Sequence, residues 1–179
     1  MKFLKWLLII IAVLAAALVV VGFLLPQTRH IERSITVEAT KDTVFNQVNN
    51  LQNFNNWSPW AEIDPNATYT FTGPQSGMGA TMAWDSQMKE VGSGTYKIIE
   101  SNYPNMVKFE MKFGQEQMPA ESSFVLDEVS YDQTRVTWTL DADFGNDLIG
   151  RYMGFFMMER AVAPQYEKGL QNLKGIVEG

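Results

Sequence analysis

The sequence has no cysteine and a single histidine, His30. The first absence removes disulfides, thiolate zinc sites, a cysteine nucleophile and a lipoprotein anchor. The second removes most metal-centred and triad chemistry. Basic residues are also scarce, with fourteen Lys and Arg against twenty Asp and Glu in 179 residues, a net charge of −6. Lys2 and Lys5 precede a long apolar run, so residues 26–179 carry twelve basic and twenty acidic side chains. A nucleic-acid-binding domain needs a basic face to neutralise phosphates, and such a partner is excluded here. There is no internal repeat, low-complexity tract or linker to a second domain. Gly77, Gly79, Gly92 and Gly94 lie between strand-like segments with no helix following, so they read as hairpin turns and not as a phosphate-binding loop. No cofactor and no metal is expected, and the sequence does not say whether there is a protein partner. What remains is a binding domain or a carboxylate-dependent enzyme.

The apolar run at residues 7–25 (LLIIIAVLAAALVVVGFLL) contains no charge. A helix of about 20 apolar residues spans a bilayer core of about 30 Å. Ala15, Ala16 and Ala17 offer small residues for cleavage, but the run continues apolar to residue 25 and Pro26 follows, which favours an uncleaved anchor over a signal peptide. Residues 1–26 are therefore expected to form a single-pass membrane anchor, residues 27–30 a short polar tether, and residues 31–179 one domain. Lysines at the membrane face of the short amino-terminal tail place that tail inside and the domain on the extracytoplasmic side.

Alternation at Ile31, Ile35 and Val37 predicts a strand, and Thr40 is a candidate N-cap for a short helix over residues 41–49. An asparagine-rich stretch then leads to the loop Trp57-Ser58-Pro59-Trp60, with a further helical turn. From Tyr69 to Ala142 the pattern is a meander of six or seven short strands. Its clearest member sets Val107, Phe109, Met111 and Phe113 against Lys108, Glu110 and Lys112. A helical region over about 147–177 closes the chain. Pro164 is expected to divide it, and Tyr166, Leu170, Leu173 and Val177 form an amphipathic face. An antiparallel sheet with one apolar face and a long closing helix is an α+β arrangement.

Three patterns within that order are familiar. ITVEATKDTVF at residues 35–45 with NWSPW at 56–60, GMGATMAW at 77–84 with GSG at 92–94 and ESNYP at 100–104, and TRVTW at 134–138 with YEKGLQNLK at 166–174 together resemble the START/polyketide-cyclase (SRPBCC) superfamily, across roughly residues 29–178. The resemblance implies a helix-grip fold, a curved antiparallel sheet wrapped around a long C-terminal helix, and an apolar cavity for a hydrophobic small molecule or lipid. It carries no catalytic position across residue by residue. Trp57, Trp60, Met82, Trp84, Phe109, Met111, Phe113, Phe124, Trp138, Met153, Phe156 and Met157 are the cavity candidates, since thioethers and rings adapt to apolar ligands, and each could equally fill a core. The loop at Trp57, Pro59 and Trp60 is either a lid at the pocket or a rigid plug. For an aromatic-cyclase-type enzyme the available groups are Asp85, Glu100, Asp141 and Asp143 with Tyr96 and Tyr152, provided burial shifts one of them. A third possibility is a protein-interaction domain with a filled core and an exposed apolar patch.

Overall fold

The computed structural model describes residues 2–114 and 118–179. Helix α1 (Lys2–Leu24) leads into strand β1 (Thr28–Val37), and three short helices follow: α2 (Lys41–Val48), α3 (Leu51–Trp57) and α4 (Pro59–Ile63). Strands β2 (Thr68–Thr72), β3 (Thr81–Asp85), β4 (Ser93–Asn102), β5 (Met106–Phe113), β6 (Met118–Ser130) and β7 (Gln133–Asp143) complete an antiparallel seven-stranded sheet. Its order is β1-β7-β6-β5-β4-β3-β2, so the first strand closes against the last. The chain ends in α5 (Leu148–Met153), a π-helical stretch (Gly154–Met158) and α6 (Glu159–Val177).

Local chemistry accounts for these elements. Thr40 caps α2 by accepting from the Thr43 amide, Asn50 caps α3 by accepting from Gln52 and Asn53, and Asp147 caps α5 by accepting from Ile149. In β5 Val107, Phe109 and Met111 are buried while Lys108, Glu110 and Lys112 are less so, and in β7 Val136, Trp138, Leu140 and Ala142 face inward. The inner sheet face and α6 share one core, to which α6 contributes Ala163, Tyr166, Leu170 and Leu173.

Helix α6 is also pinned to β1 by polar contacts. Arg33 donates from Nε to Glu167 at 2.8 Å and from Nη2 to Glu159 at 2.6 Å, and Lys174 Nζ donates to the Thr36 carbonyl at 3.1 Å. Gly169 allows the closest approach, because a Cβ there would stand 2.7 Å from Cζ3 of Trp138 and 3.1 Å from Cδ of Pro59.

Two expectations are corrected. There is no free tether: Thr28, Arg29 and His30 pair in register with Asp143, Ala142 and Asp141, and the Gln27 carbonyl accepts from the Phe144 amide at 2.8 Å. Polar side chains do not prevent a strand when the end of β7 supplies its backbone partners. Nor does Pro164 divide the last helix, since α6 runs through it. Pro164 is exposed, and burial of Ala163 and Tyr166 on either side holds the turn against the sheet. The irregular part lies earlier, in the π-helical stretch.

His30 bridges the first and last strands on the outer surface, with Nδ1 2.7 Å from Asp141 and Nε2 3.6 Å from Glu32. The hydrogen bond to Asp141, more than any other influence, raises the imidazole above 6.5, against the opposing effect of burial. A raised value means that this contact favours the fold fully below pH 6.5 and loses its contribution as pH rises through the raised value. Asp141→Asn is therefore expected to return His30 towards 6.5, which NMR of the single histidine ring would report directly.

Candidate functional site

Between α3, α4 and the inner face of β2–β5 lies a cavity of about 50 Å³. Phe54, Asn55 and Ser58 line it from the α3 side, Trp60 from α4, and Tyr69, Met82, Trp84, Tyr96, Met111 and Phe113 from the strands, with Val91 from the β3–β4 turn. Glycine shapes one wall. Trp84 pairs across the ladder with Gly94, and a Cβ on Gly94 would lie 2.5 Å from the indole Cζ2, so only glycine lets the ring lie flat there. Trp84 Nε1 donates to the Val91 carbonyl at 3.2 Å, and its ring meets Phe113 edge-on at 5.8 Å.

Beneath the cavity the interior is packed with rings. Phe54 stacks on Tyr96 at 5.4 Å, Phe124 lies 4.8 Å from Trp138, and Trp138 stacks on Tyr166 at 3.9 Å. A polar thread runs through these rings: Trp138 Nε1 donates to Ser122 Oγ at 3.0 Å, Ser122 Oγ donates to the Thr139 carbonyl at 2.8 Å, and Tyr166 OH lies 3.4 Å from Ser122 Oγ. Tyr96 joins cavity and thread. Burial pushes its hydroxyl far above the ordinary tyrosine range, and nearby Ser122 and Trp138 offset this only in part. Burial likewise pushes Tyr166 well above that range. Both phenols are therefore neutral near pH 7 and keep their protons.

Two lining residues each carry a buried polar atom that lacks an ordinary hydrogen bond within the protein, the Tyr96 hydroxyl and Asn55 Oδ1, as does Trp57 Nε1 away from the cavity. A buried, unpaired polar group costs about 1–3 kcal/mol. The rest of the lining is apolar apart from Ser58, Trp60, Tyr69 and Trp84, and no described lining residue carries a charge. One register row, Arg29–Ala142–Ala120–Met111–Tyr96–Met82, crosses from β1 to β3, so the cavity lies at the end of the sheet where β1 leaves α1.

The sequence-derived candidates fall into three groups. Trp60, Met82, Trp84, Met111 and Phe113 line the cavity. Trp57, Phe109, Phe124 and Trp138 are buried in the ring-packed core and do not line it, so the Trp57 end of the loop is a plug while Trp60 forms a wall. Met153, Phe156 and Met157 lie outside the grip altogether, exposed on α5 and the π-helical stretch. The expected cavity role does not fit these three, because the apolar character of their segment is turned outward.

Phe54, Asn55, Ser58, Tyr69 and Val91 were not among the predicted lining residues, and Tyr96 figured only as a possible catalytic donor. A signal existed for two of them. Leu51, Phe54, Asn55 and Ser58 recur at helical spacing, so Asn55 and Ser58 are polar intrusions on an otherwise apolar face. Asp85, Glu100, Asp141 and Asp143 are exposed, and Tyr152 contacts α1 instead of the cavity. Among the described residues no group of His, Asp and Glu is placed to hold a metal ion.

Residues 28–178 match the family described as polyketide cyclase/dehydrase and lipid transport. No curated protein matches the chain. Among solved structures, a conserved protein from Geobacillus kaustophilus aligns with a TM-score of 0.62 at 13% identity, covering 83% of this chain and 95% of that one. Truncated norcoclaurine synthase from Thalictrum flavum aligns at 0.61 and 12% identity, covering 85% and 95%. The Aha1 dimer from Colwellia psychrerythraea aligns at 0.59 and 16% identity, covering 84% and 96%. At these identities the likeness establishes the helix-grip fold alone. The family match spans nearly all of the chain beyond α1: this protein belongs to the polyketide cyclase/dehydrase and lipid transport family.

Proposed function

We propose that the protein is a membrane-anchored helix-grip domain that binds a neutral, mainly apolar small molecule or lipid in the cavity between α3–α4 and β2–β5. The observation that carries this reading is an uncharged, mainly apolar lining in which two residues, Tyr96 and Asn55, each carry a buried polar atom without a hydrogen bond in the protein, a hydroxyl donor and the acceptor Oδ1. A ligand with one hydroxyl group on an apolar body, accepting from Tyr96 and donating to Asn55 Oδ1, would satisfy both and bury its remaining surface at roughly 25 cal/mol per Å². The walls must yield to admit it, because 50 Å³ is well below the roughly 300–1,000 Å³ of ordinary small-molecule pockets. The parts suited to yielding are the half-buried rings of Trp60, Tyr69 and Trp84 and the flexible thioethers of Met82 and Met111. For the cyclase alternative the lining offers Tyr96, shifted by burial, but not the acidic residue that reading expects, since no described carboxylate lines the cavity.

Helix α1 has the length and composition of a membrane span, a property shared with signal sequences. What supports retention as an anchor is that Arg151 of the domain bonds the carbonyl of Phe23 at the end of that helix. In this reading Lys2 and Lys5 stay inside and the domain lies outside.

Methionine methyl NMR tests the site. In the full chain held in lipid nanodiscs and titrated with 2-naphthol, the Met82 and Met111 methyls are expected to shift saturably, while the exposed Met78 and Met88 stay in place. Silence at Met82 and Met111 would overturn the cavity reading.

A further inference from the structure

Residues 148–158 carry one charge, Arg151, and it is only 2% exposed. Around it the segment presents Ile149 (73% exposed), Met153 (52%), Phe156 (57%) and Met157 (58%) to the outside. A contiguous apolar surface of this kind marks a place of interaction.

Its surroundings indicate the partner. Tyr152 donates to the Leu18 carbonyl of α1 at 2.6 Å, and the two helices touch at Gly22, where a Cβ would lie 3.1 Å from the Tyr152 ring and 3.2 Å from Leu148. Arg151 Nη1 donates to the Phe23 carbonyl at 3.2 Å and reaches those of Gly22 and Leu25 at 3.5 Å, while Nε donates to the Gly145 carbonyl at 2.8 Å. A guanidinium in that position satisfies acceptors that a helix end leaves open and sits at the negative end of the helix dipole. Helix α5 is thereby locked beside the last turns of α1. Leu18 lies about 9 Å along the axis from Leu24, at 1.5 Å per residue. An interfacial helix sits about 5–10 Å into the headgroup and acyl boundary, a matching depth. Arg29 stands over the Phe155 ring at 5.2 Å, so a cation borders the apolar surface.

We infer that residues 148–158 form a lipid-embedded collar, in which the outward face of α5 and the π-helical stretch lies in the bilayer interface beside α1 and Arg151 locks the two together. The inference rests on the membrane-anchored reading above. It adds that the domain does not swing on a tether: the collar holds the cavity end of the sheet towards the bilayer. The occupant is lipid and not another protein because the surface is continuous with the apolar flank of α1 and contains no acidic residue.

The absence of native cysteine permits single spin labels. Phe156→Cys, Val21→Cys and Tyr131→Cys are labelled in the full chain, reconstituted into phosphatidylethanolamine/phosphatidylglycerol vesicles, and compared for collision with oxygen and with a water-soluble nickel chelate. The Phe156 and Val21 sites are expected to favour oxygen, and the Tyr131 site, on an exposed turn, to favour nickel. Met153→Cys repeats the collar measurement at a second position. A Phe156 site open to nickel while the Val21 site lies in lipid would overturn the collar and leave the anchor standing. A Phe156 site shielded from both reagents would mean a protein cover and would equally overturn it. A Val21 site in water would overturn the anchor itself, and the collar with it.

Discussion

Trp138→Ala is expected to destabilise the domain by about 3–5 kcal/mol, a large part of the roughly 5–15 kcal/mol that holds a domain together. The indole is fully buried and is the ring on which the others converge: Tyr166 stacked at 3.9 Å, Phe124 at 4.8 Å, Phe54 and Trp57 each at 5.8 Å, and Trp60 at 6.0 Å. Truncation opens a void that this packing cannot readily fill, and it removes the donor that Ser122 accepts. Urea denaturation of the full chain in detergent, followed by far-UV circular dichroism, measures the loss. Phe113→Ala serves as comparison, since that ring is 37% exposed at the cavity edge and should cost far less. Equal losses for the two would contradict a ring-packed core centred on Trp138.

Tyr96→Phe should act in the opposite direction. The native hydroxyl is buried without an ordinary hydrogen bond in the protein, so its removal relieves a desolvation cost and raises stability by about 1–3 kcal/mol. On the proposed reading the same change deprives a ligand of its donor, at about 0.5–1.5 kcal/mol, and is expected to weaken binding by roughly 2–10-fold. Stability gained with binding lost is the signature of a polar group kept for function. A loss of stability in Tyr96→Phe would instead show that Ser122 or Trp138 satisfies the hydroxyl internally.

The parts of the fold that were legible in the sequence are those where side-chain pattern and backbone pairing agree. The alternation in β5 and β7, the cap at Thr40 and the amphipathic face of α6 each state their partner within a few residues. The start of β1 was not legible, because the pairing of Thr28 with Asp143 joins residues distant in sequence and leaves no apolar mark. Pro164 misled for the complementary reason: a local rule yields when burial on both sides of the proline fixes the helix.

The site was half legible. Met82, Trp84 and Met111 could be read from strand alternation, since an inward face on a curved sheet is also a cavity face. Apolar content could not separate them from Trp57, Phe109, Phe124 and Trp138, because packing depth is not encoded in period. Met153, Phe156 and Met157 were misplaced because a run that is apolar on every side reads as core. Only its contact with α1, through Tyr152 and Arg151, sets it apart from the core. Asn55 was hidden among the neighbouring asparagines, although its phase with Leu51 and Phe54 distinguishes it.

The most direct measurement is native mass spectrometry of the full chain released from detergent after purification from membranes, alongside Tyr96→Phe, with organic extraction of whatever is bound. The expected result is a one-to-one adduct on the wild type, neutral and mainly apolar with a hydroxyl group, and lower occupancy in the more stable Tyr96→Phe. A wild type that carries no adduct, and acquires none on incubation with neutral lipid extract, would contradict a ligand-binding cavity and leave a domain whose interior is filled by its own rings.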